Sequence, residues 1–167
     1  MKGFLLSIVL ISPLMVFKTA IAESEYIRIG MEIDVEKPAD ELWAIAGGYC
    51  DIGEWANIEC EISSGDGDIG TVRVLLGGAI TEVMVAKTDL SYGYAQQSEE
   101  GQFYDLYHGF MEAKPVNNSS SKLFYTLVYD LSDFPDHAAK NADKARRSAQ
   151  FDTLLLNIKT MAEKPAN

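Results

Sequence analysis

The stretch EYIRIGMEIDV, residues 25–35, alternates apolar and polar side chains, the period-two pattern of a half-buried strand. Directly after it, Lys37-Pro38-Ala39-Asp40 opens a helix. Pro38 suits a first-turn position, and Leu42, Trp43, Ile45 and Ala46 recur at helical spacing until Gly47-Gly48 stops them. A second short helical piece, DIGEWANI, covers 51–58. From there the chain reads as strands at 59–63, 70–76, 79–87, 90–96, 102–113 and 122–131, the last two separated by the loop PVNNSSS. No helix between them is long enough for a parallel crossover, so consecutive antiparallel hairpins are expected. The period then changes. Asp133 and Asp136 flank Pro135 as a helix start, followed by Ala138, Ala142, Ala145 and Ala149. Phe151, Leu154, Leu155, Ile158, Met161 and Ala162 continue the spacing of three and four, predicting one amphipathic helix over 136–163. A helix this long with one apolar face needs a sheet to lie on. The order is α+β, with a seven-stranded curved antiparallel sheet around the last helix and two short helices after the first strand.

Within the strands, GTVRVLLGGAITEVMV (70–85) folds back on itself, because Gly77-Gly78 between two apolar runs signals a two-residue hairpin turn. Position 76 then faces 79, 75 faces 80, 74 faces 81, and Arg73 lands opposite Glu82. Parity puts Arg73, Leu75, Ile80, Glu82 and Met84 on one face and Val72, Val74, Val83 and Val85 on the other. By pattern alone the valine face is the core, and the ion pair is exposed and worth about 0–1 kcal/mol.

Ahead of all this stands MKGFLLSIVLISPLMVFKTAIAES. Lys2, the apolar run from Phe4 to Phe17 and the small-x-small Ala20-Ile21-Ala22 have the layout of a secretory signal peptide, 1–22, cut after Ala22. A membrane anchor is the competing reading, but the run is short for a span and contains Ser7, Ser12 and Pro13. Cleavage leaves 23–167 as a single domain with no stable membrane anchor, and removing Lys2 and Lys18 takes the formal charge from −11 to −13. So acidic a chain repels phosphate backbones and anionic membranes, and nucleic acid is not an expected partner. Cys50 and Cys60 are the only thiols, an even pair that favours a disulfide in an oxidising compartment; two buried free thiols are the alternative.

Several short motifs resemble one family in the same order. VEKPADELWAIAGGYCDIGEW (35–55) is similar to the opening of START-like or Bet v 1-like proteins, specifically the SRPBCC domain of the polyketide cyclase/dehydrase type. Gly70-Thr71-Val72-Arg73, Glu82 in TEVMVAKTD, Tyr92-Gly93-Tyr94, Tyr107 and SAQFDTLLLNIKTMAE (148–163) resemble later family positions. The resemblance implies a helix-grip fold that cages an apolar or amphipathic small molecule between sheet and long helix. It also implies that Glu82, and Arg73 with it, face the cavity, against the parity argument. Some such proteins are cyclases, aromatases or hydrolases and many are carriers, so the fold does not choose between binding and catalysis.

Candidate chemistry rests on polar tips within apolar surroundings. Tyr92, Tyr94, Tyr104, Tyr107, Tyr125 and Tyr129 lie on expected strands, with Phe103, Phe110 and Phe124 among them. A tyrosine offers a ring and a hydroxyl to a mostly apolar ligand, although aromatic residues also serve simply as strand formers and core. Arg73, Glu82, Tyr92, Tyr94, Tyr107, Tyr125 and Trp55 are the cavity candidates, with Trp55 read first as a packing residue and alternatively as closing the mouth, and Tyr107 favoured by the resemblance. Asp105 shares Tyr107's parity, and His108 takes the opposite one. With His108 and His137 alone and no ligand-spaced partners, a catalytic zinc is not expected. No phosphate-binding, dinucleotide, nucleophile-elbow or HExxH motif occurs, and SSGDGDIG lacks a calcium-loop register, so no cofactor or metal is expected. Three readings follow: an exported binding module; a cyclase, dehydratase or hydrolase using Tyr107, Arg73 or Glu82; and a filled-core interaction domain without a ligand.

Overall fold

The protein was analysed as a computed structural model, in which residues 25–96 and 106–165 are described. Strand β1 (Tyr26–Val35) leads into α1 (Ala39–Ala46) and the short α2 (Ile52–Trp55). Then come β2 (Cys60–Ser64), β3 (Val72–Leu75), β4 (Ile80–Thr88), β5 (Ser91–Gln96), β6 (Tyr107–Asn117) and β7 (Ser120–Asp130), and finally α3 (His137–Ala162). The leader at 1–22 and the expected strand start with Phe103, Tyr104 and Asp105 lie outside the described residues.

All seven strands form one antiparallel sheet in the order β1-β7-β6-β5-β4-β3-β2, so the first strand pairs with the last and β2 holds the far edge. The helices cover the inner face, and Val35, Leu42, Leu123, Leu127, Leu155 and Ile158 are buried between the layers. Alternation along β7 drives this: Leu123, Tyr125, Leu127 and Tyr129 are buried while Lys122, Phe124, Thr126 and Val128 are only partly so.

Local chemistry accounts for the helix starts. Pro38 takes the N-cap position of α1, just outside the first turn, and its carbonyl accepts from the Leu42 amide at 2.9 Å. Asp136 caps α3 by accepting from the Ala139 amide at 2.8 Å. The long helix is then fastened to β1 at both ends. Lys140 pairs with Glu25 near its start; near its finish Lys159 donates to the Asp34 carbonyl at 2.8 Å and Glu163 accepts from the Glu36 amide at 2.7 Å. In between, Asn157 donates to the Trp55 carbonyl at 3.0 Å, tying α3 to α2. A Cys50–Cys60 disulfide, with Cα atoms 5.6 Å apart, joins the α1–α2 connection to the start of β2.

Three sequence expectations need correction. The stretch PVNNSSS is mostly strand: β6 runs to Asn117 and β7 starts at Ser120, with the Asn117 side chain accepting from the Ser119 amide at 2.8 Å. Pro115 is tolerated because β6 has already left β5, whose pairing ends at Glu112, and the missing amide falls on a free edge. The alanine stripe of α3 faces solvent: Ala138, Ala142, Ala145 and Ala149 are exposed, and Asp143 and Phe151 are the buried positions of that stretch. Alanine favours a helix on any face, so its spacing does not locate the core. At the hairpin, Gly77 (φ 65°) and Gly78 (φ 105°) make the expected two-residue turn. Leu76, however, also takes a left-handed φ of 54°, so the 76–79 pair drops out of the ladder.

Candidate functional site

Pairing of β3 with β4 puts Arg73 opposite Glu82, in the register that the Gly77-Gly78 turn implies. The side of the sheet is the reverse of what valine parity suggests. Arg73 is 0 % exposed and Glu82 4 %, whereas Val72, Val74 and Val83 are half-buried on the outer face. β-Branched residues stabilise strands on either face, so the valines did not mark the core. Burial of the pair depends on partners from distant segments, which no local pattern reveals.

Those partners surround the guanidinium. Arg73 Nε donates to Glu82 Oε2 at 2.7 Å, and Nη2 lies 2.7 Å from the same oxygen but off the line of a hydrogen bond. Nη1 donates to the Tyr49 carbonyl at 2.5 Å. Three rings pack around the cation, with its carbon 4.3 Å from the Tyr49 centroid, 4.9 Å from Tyr94 and 5.6 Å from Tyr92. Burial alone would weaken the cation, but Tyr92 and Glu82 more than offset it and Arg73 stays charged. Burial also pushes the Glu82 carboxyl above its ordinary value, and Arg73 only partly reverses that. Desolvation raises the Tyr49, Tyr92, Tyr94 and Tyr125 phenols as well, so all four remain protonated.

A tyrosine layer continues inward. The Tyr94 and Tyr125 hydroxyls share a 2.8 Å hydrogen bond, Tyr125 packs 4.7 Å from Phe151 of α3, and Tyr129 donates to Asp143 at 2.9 Å. Gly109 makes room for Tyr94: a Cβ there would lie 2.2–2.4 Å from its ring and hydroxyl. These side chains fill the centre of the sheet, and open space remains at one end.

That space is a cleft of about 410 Å³ between α2, the β3–β4 hairpin and α3. Ile52, Leu75, Leu76, Ile80, Phe151 and Leu154 supply apolar walls, while Glu82, Tyr94, Gln96, Tyr107, Arg147 and Gln150 bring polar atoms to it. Arg147 stacks 5.2 Å from the Tyr107 centroid. The arrangement accommodates an apolar body, with a carboxylate of raised pKa and two tyrosines among the polar groups that line it.

Of the sequence-derived candidates, the structure brings Glu82, Tyr94 and Tyr107 to the cleft. Arg73, Tyr92 and Tyr125 stand behind it, buried in the cation–tyrosine cluster. Trp55 does not close the mouth: it is 1 % exposed within the core, and its helix neighbours Ile52 and Ala56 line the cleft instead. The His108 ring stacks on Phe110, 6.4 Å away, on the outer side, opposite in parity to the buried Tyr107. Among the described residues no group of three His, Cys, Asp or Glu is placed to hold a metal ion. Sequence reading missed Tyr49, which lies outside any strand, and the α3 positions Arg147 and Gln150. The spacing 147-150-151-154 around Phe151 was the available signal for the latter.

In sequence, no protein-family model and no curated protein matches this chain. Solved structures match clearly. The Zhui aromatase/cyclase from Streptomyces sp. R1128 superposes with a TM-score of 0.68 at 16% identity, over 83% of this chain and 94% of that one. Norcoclaurine synthase from Thalictrum flavum, solved with dopamine and hydroxybenzaldehyde, gives 0.64 at 13% identity over 93% and 99%. Ara h 8.0201 gives 0.59 at 15% identity over 81% and 99%. At these identities the likeness is one of architecture, and the architecture is common to all three: this chain has the Bet v 1-like helix-grip fold.

Proposed function

We propose that this is an exported protein that binds an apolar or amphipathic small molecule in the cleft between α2, the β3–β4 hairpin and α3. The carrying observation is the cleft itself: about 410 Å³ of space with apolar walls, and Glu82, Tyr94 and Tyr107 among its polar lining. Its fold is shared with a synthase solved with dopamine and hydroxybenzaldehyde, both small molecules. Export is supported by the 1–22 leader pattern and by the Cys50–Cys60 disulfide, which suits an oxidising compartment. Native mass spectrometry of protein purified from that compartment, beside an organic extract of the same sample, tests the reading. A discrete added mass recovered in the extract is expected. A clean apo mass that persists after exposure to a panel of lipids and aromatic polyketides favours the filled-core, interaction-domain reading.

One observation favours a second reading, an enzyme of the cyclase, dehydratase or hydrolase kind. Glu82 lines the cleft and burial raises its pKa above the ordinary carboxylate value, the direction expected of a carboxyl that moves a proton. Glu82→Gln, assayed at a temperature where its circular dichroism shows it folded, separates the two: turnover of a bound carbonyl compound is abolished with binding retained if the carboxyl transfers a proton, whereas a ligand that is merely oriented binds more weakly and is released unchanged.

A further inference from the structure

Beside the cation–tyrosine cluster lies a second cavity of about 200 Å³, bounded by the end of α1, the β2–β3 loop, β4 and the start of β5. It shares no lining residue with the cleft. Aromatic rings form its walls. Trp43 lies 5.7 Å from Tyr92, and Tyr92 meets Tyr49 edge-on at 5.5 Å. The indole is seated against bare backbone, since a Cβ on Gly47 would come within 2.4–2.5 Å of it, and the buried Met84 completes the apolar lining. Polar groups around the rim are already paired. Lys87 donates to the Gly67 carbonyl at 2.6 Å and to Asp68 at 3.1 Å, while the Thr88 and Ser91 hydroxyls share a 2.7 Å hydrogen bond. The Tyr92 hydroxyl is engaged with Arg73.

Tyr49 differs. It is 6 % exposed, and its buried hydroxyl has no hydrogen-bond partner among the described residues. Desolvation keeps that phenol protonated, so it stands as an O–H donor. Buried hydroxyls nearly always have a partner, and one that lacks it on a residue lining a cavity marks where a ligand atom completes the site. Size and charge then narrow the class. An apolar cavity of about 150 Å³ takes benzene, so this one holds a single ring with a small substituent. Lys87 is matched by Asp68 and Arg73 by Glu82, so a charged head would find no counter-ion here.

We propose that this cavity is a second ligand site, beyond the cleft and independent of its occupant, which takes an uncharged one-ring aromatic molecule whose oxygen accepts from the Tyr49 hydroxyl. The ring lies among Trp43, Tyr92 and Met84, and a simple phenol meets both demands.

The chain has two tryptophans, so the site can be watched separately: Trp43 lines the cavity and Trp55 is buried in the core. Phenol and toluene, matched in ring and size, are titrated into the purified, isotope-labelled protein while both indole N–H signals are followed by NMR, with Trp43→Phe assigning the first. Phenol is expected to shift the Trp43 signal and leave that of Trp55 in place. Tyr49→Phe, checked as folded by its melting curve, keeps the ring and removes only the unpaired hydroxyl. It is expected to weaken phenol by about five- to tenfold, the effect of one lost hydrogen bond, and to leave toluene unchanged. Equal weakening of both probes, or of neither, overturns the assignment of the oxygen to Tyr49. Anisole, whose oxygen can only accept, tests the same contact in the unaltered protein: it is expected to bind about as tightly as phenol, and loss of its binding overturns Tyr49 as the donor. A Trp43 signal that stays in place overturns the site. If phenol then moves the signals of Phe151 and Leu154 instead, it is held in the cleft and that reading stands.

Discussion

Arg73 is a charge held by neighbours that the sequence does not advertise. Its carboxylate partner, Glu82, was legible from the Gly77-Gly78 turn, but the Tyr49 carbonyl and the Tyr92 and Tyr94 rings come from segments whose approach only the fold establishes. Because the cation stays charged, removing its partner alone leaves a buried unpaired ion. Glu82→Gln should destabilise the protein by about 3–5 kcal/mol in urea titration, while Arg73→Met combined with Glu82→Gln loses much less. A double variant that loses the sum of what Glu82→Gln and Arg73→Met lose singly would show that the pair is not coupled. Titration adds a sign. Because the Glu82 pKa is raised above 4.5, the native state holds this proton more tightly than the unfolded chain does. The stability contributed is therefore full below that value and lost as pH rises through the raised one. Relative to the double variant, which lacks the group, the native protein should lose stability as pH rises above 4.5 and through the raised value. Gly109 belongs at this scale too. Gly109→Ala drives a methyl into Tyr94, and loss of the Tyr94–Tyr125 hydrogen bond should lower stability by about 1–3 kcal/mol.

Among the elements, strands and helices were readable wherever period and punctuation agreed, as in β1, the β3–β4 hairpin and the Asp136 start of α3. They misled where one residue type serves two purposes, as with the alanines of α3 and the valines of β3 and β4. The cleft-lining end of the hairpin shows what a pattern cannot give. Leu76 occupies a left-handed φ of 54°, a conformation that disfavours a side chain, and still lies 49 % exposed beside the cleft. Strain at an exposed apolar position makes sense if a ligand covers it. Leu76→Gly should therefore keep or raise the melting temperature, by relief of about 1 kcal/mol of backbone strain, and at the same time weaken ligand binding. A fall in both would assign Leu76 to packing. The disulfide anchors the opposite wall. Reduction, or Cys50→Ser with Cys60→Ser, should cost about 2–3 kcal/mol in denaturant titration, since the bridge closes a loop with a sequence separation of only 10.

For the whole molecule, element order was enough to recognise the architecture, because seven antiparallel strands with a terminal helix leave few ways to bury one helix face. The position of the cleft was not readable, since it depends on which tyrosines fill the centre and which stop short of the end. Charge acts at this scale alone. With 25 acidic against 14 basic residues, self-repulsion weakens the compact state, so the melting temperature should rise as salt is added from near zero to about 0.15 M.

The fastening of α3 to β1 at both ends has a kinetic corollary. One wall of the cleft is pinned through Glu25, Asp34 and Glu36; the other is a hairpin that turns on three successive left-handed residues, Leu76, Gly77 and Gly78. If the cleft holds a molecule as proposed, its dwell time is expected to respond to changes at the turn more than to changes along the pinned helix. Stiffening those three residues would lengthen occupancy without adding a single contact to the occupant.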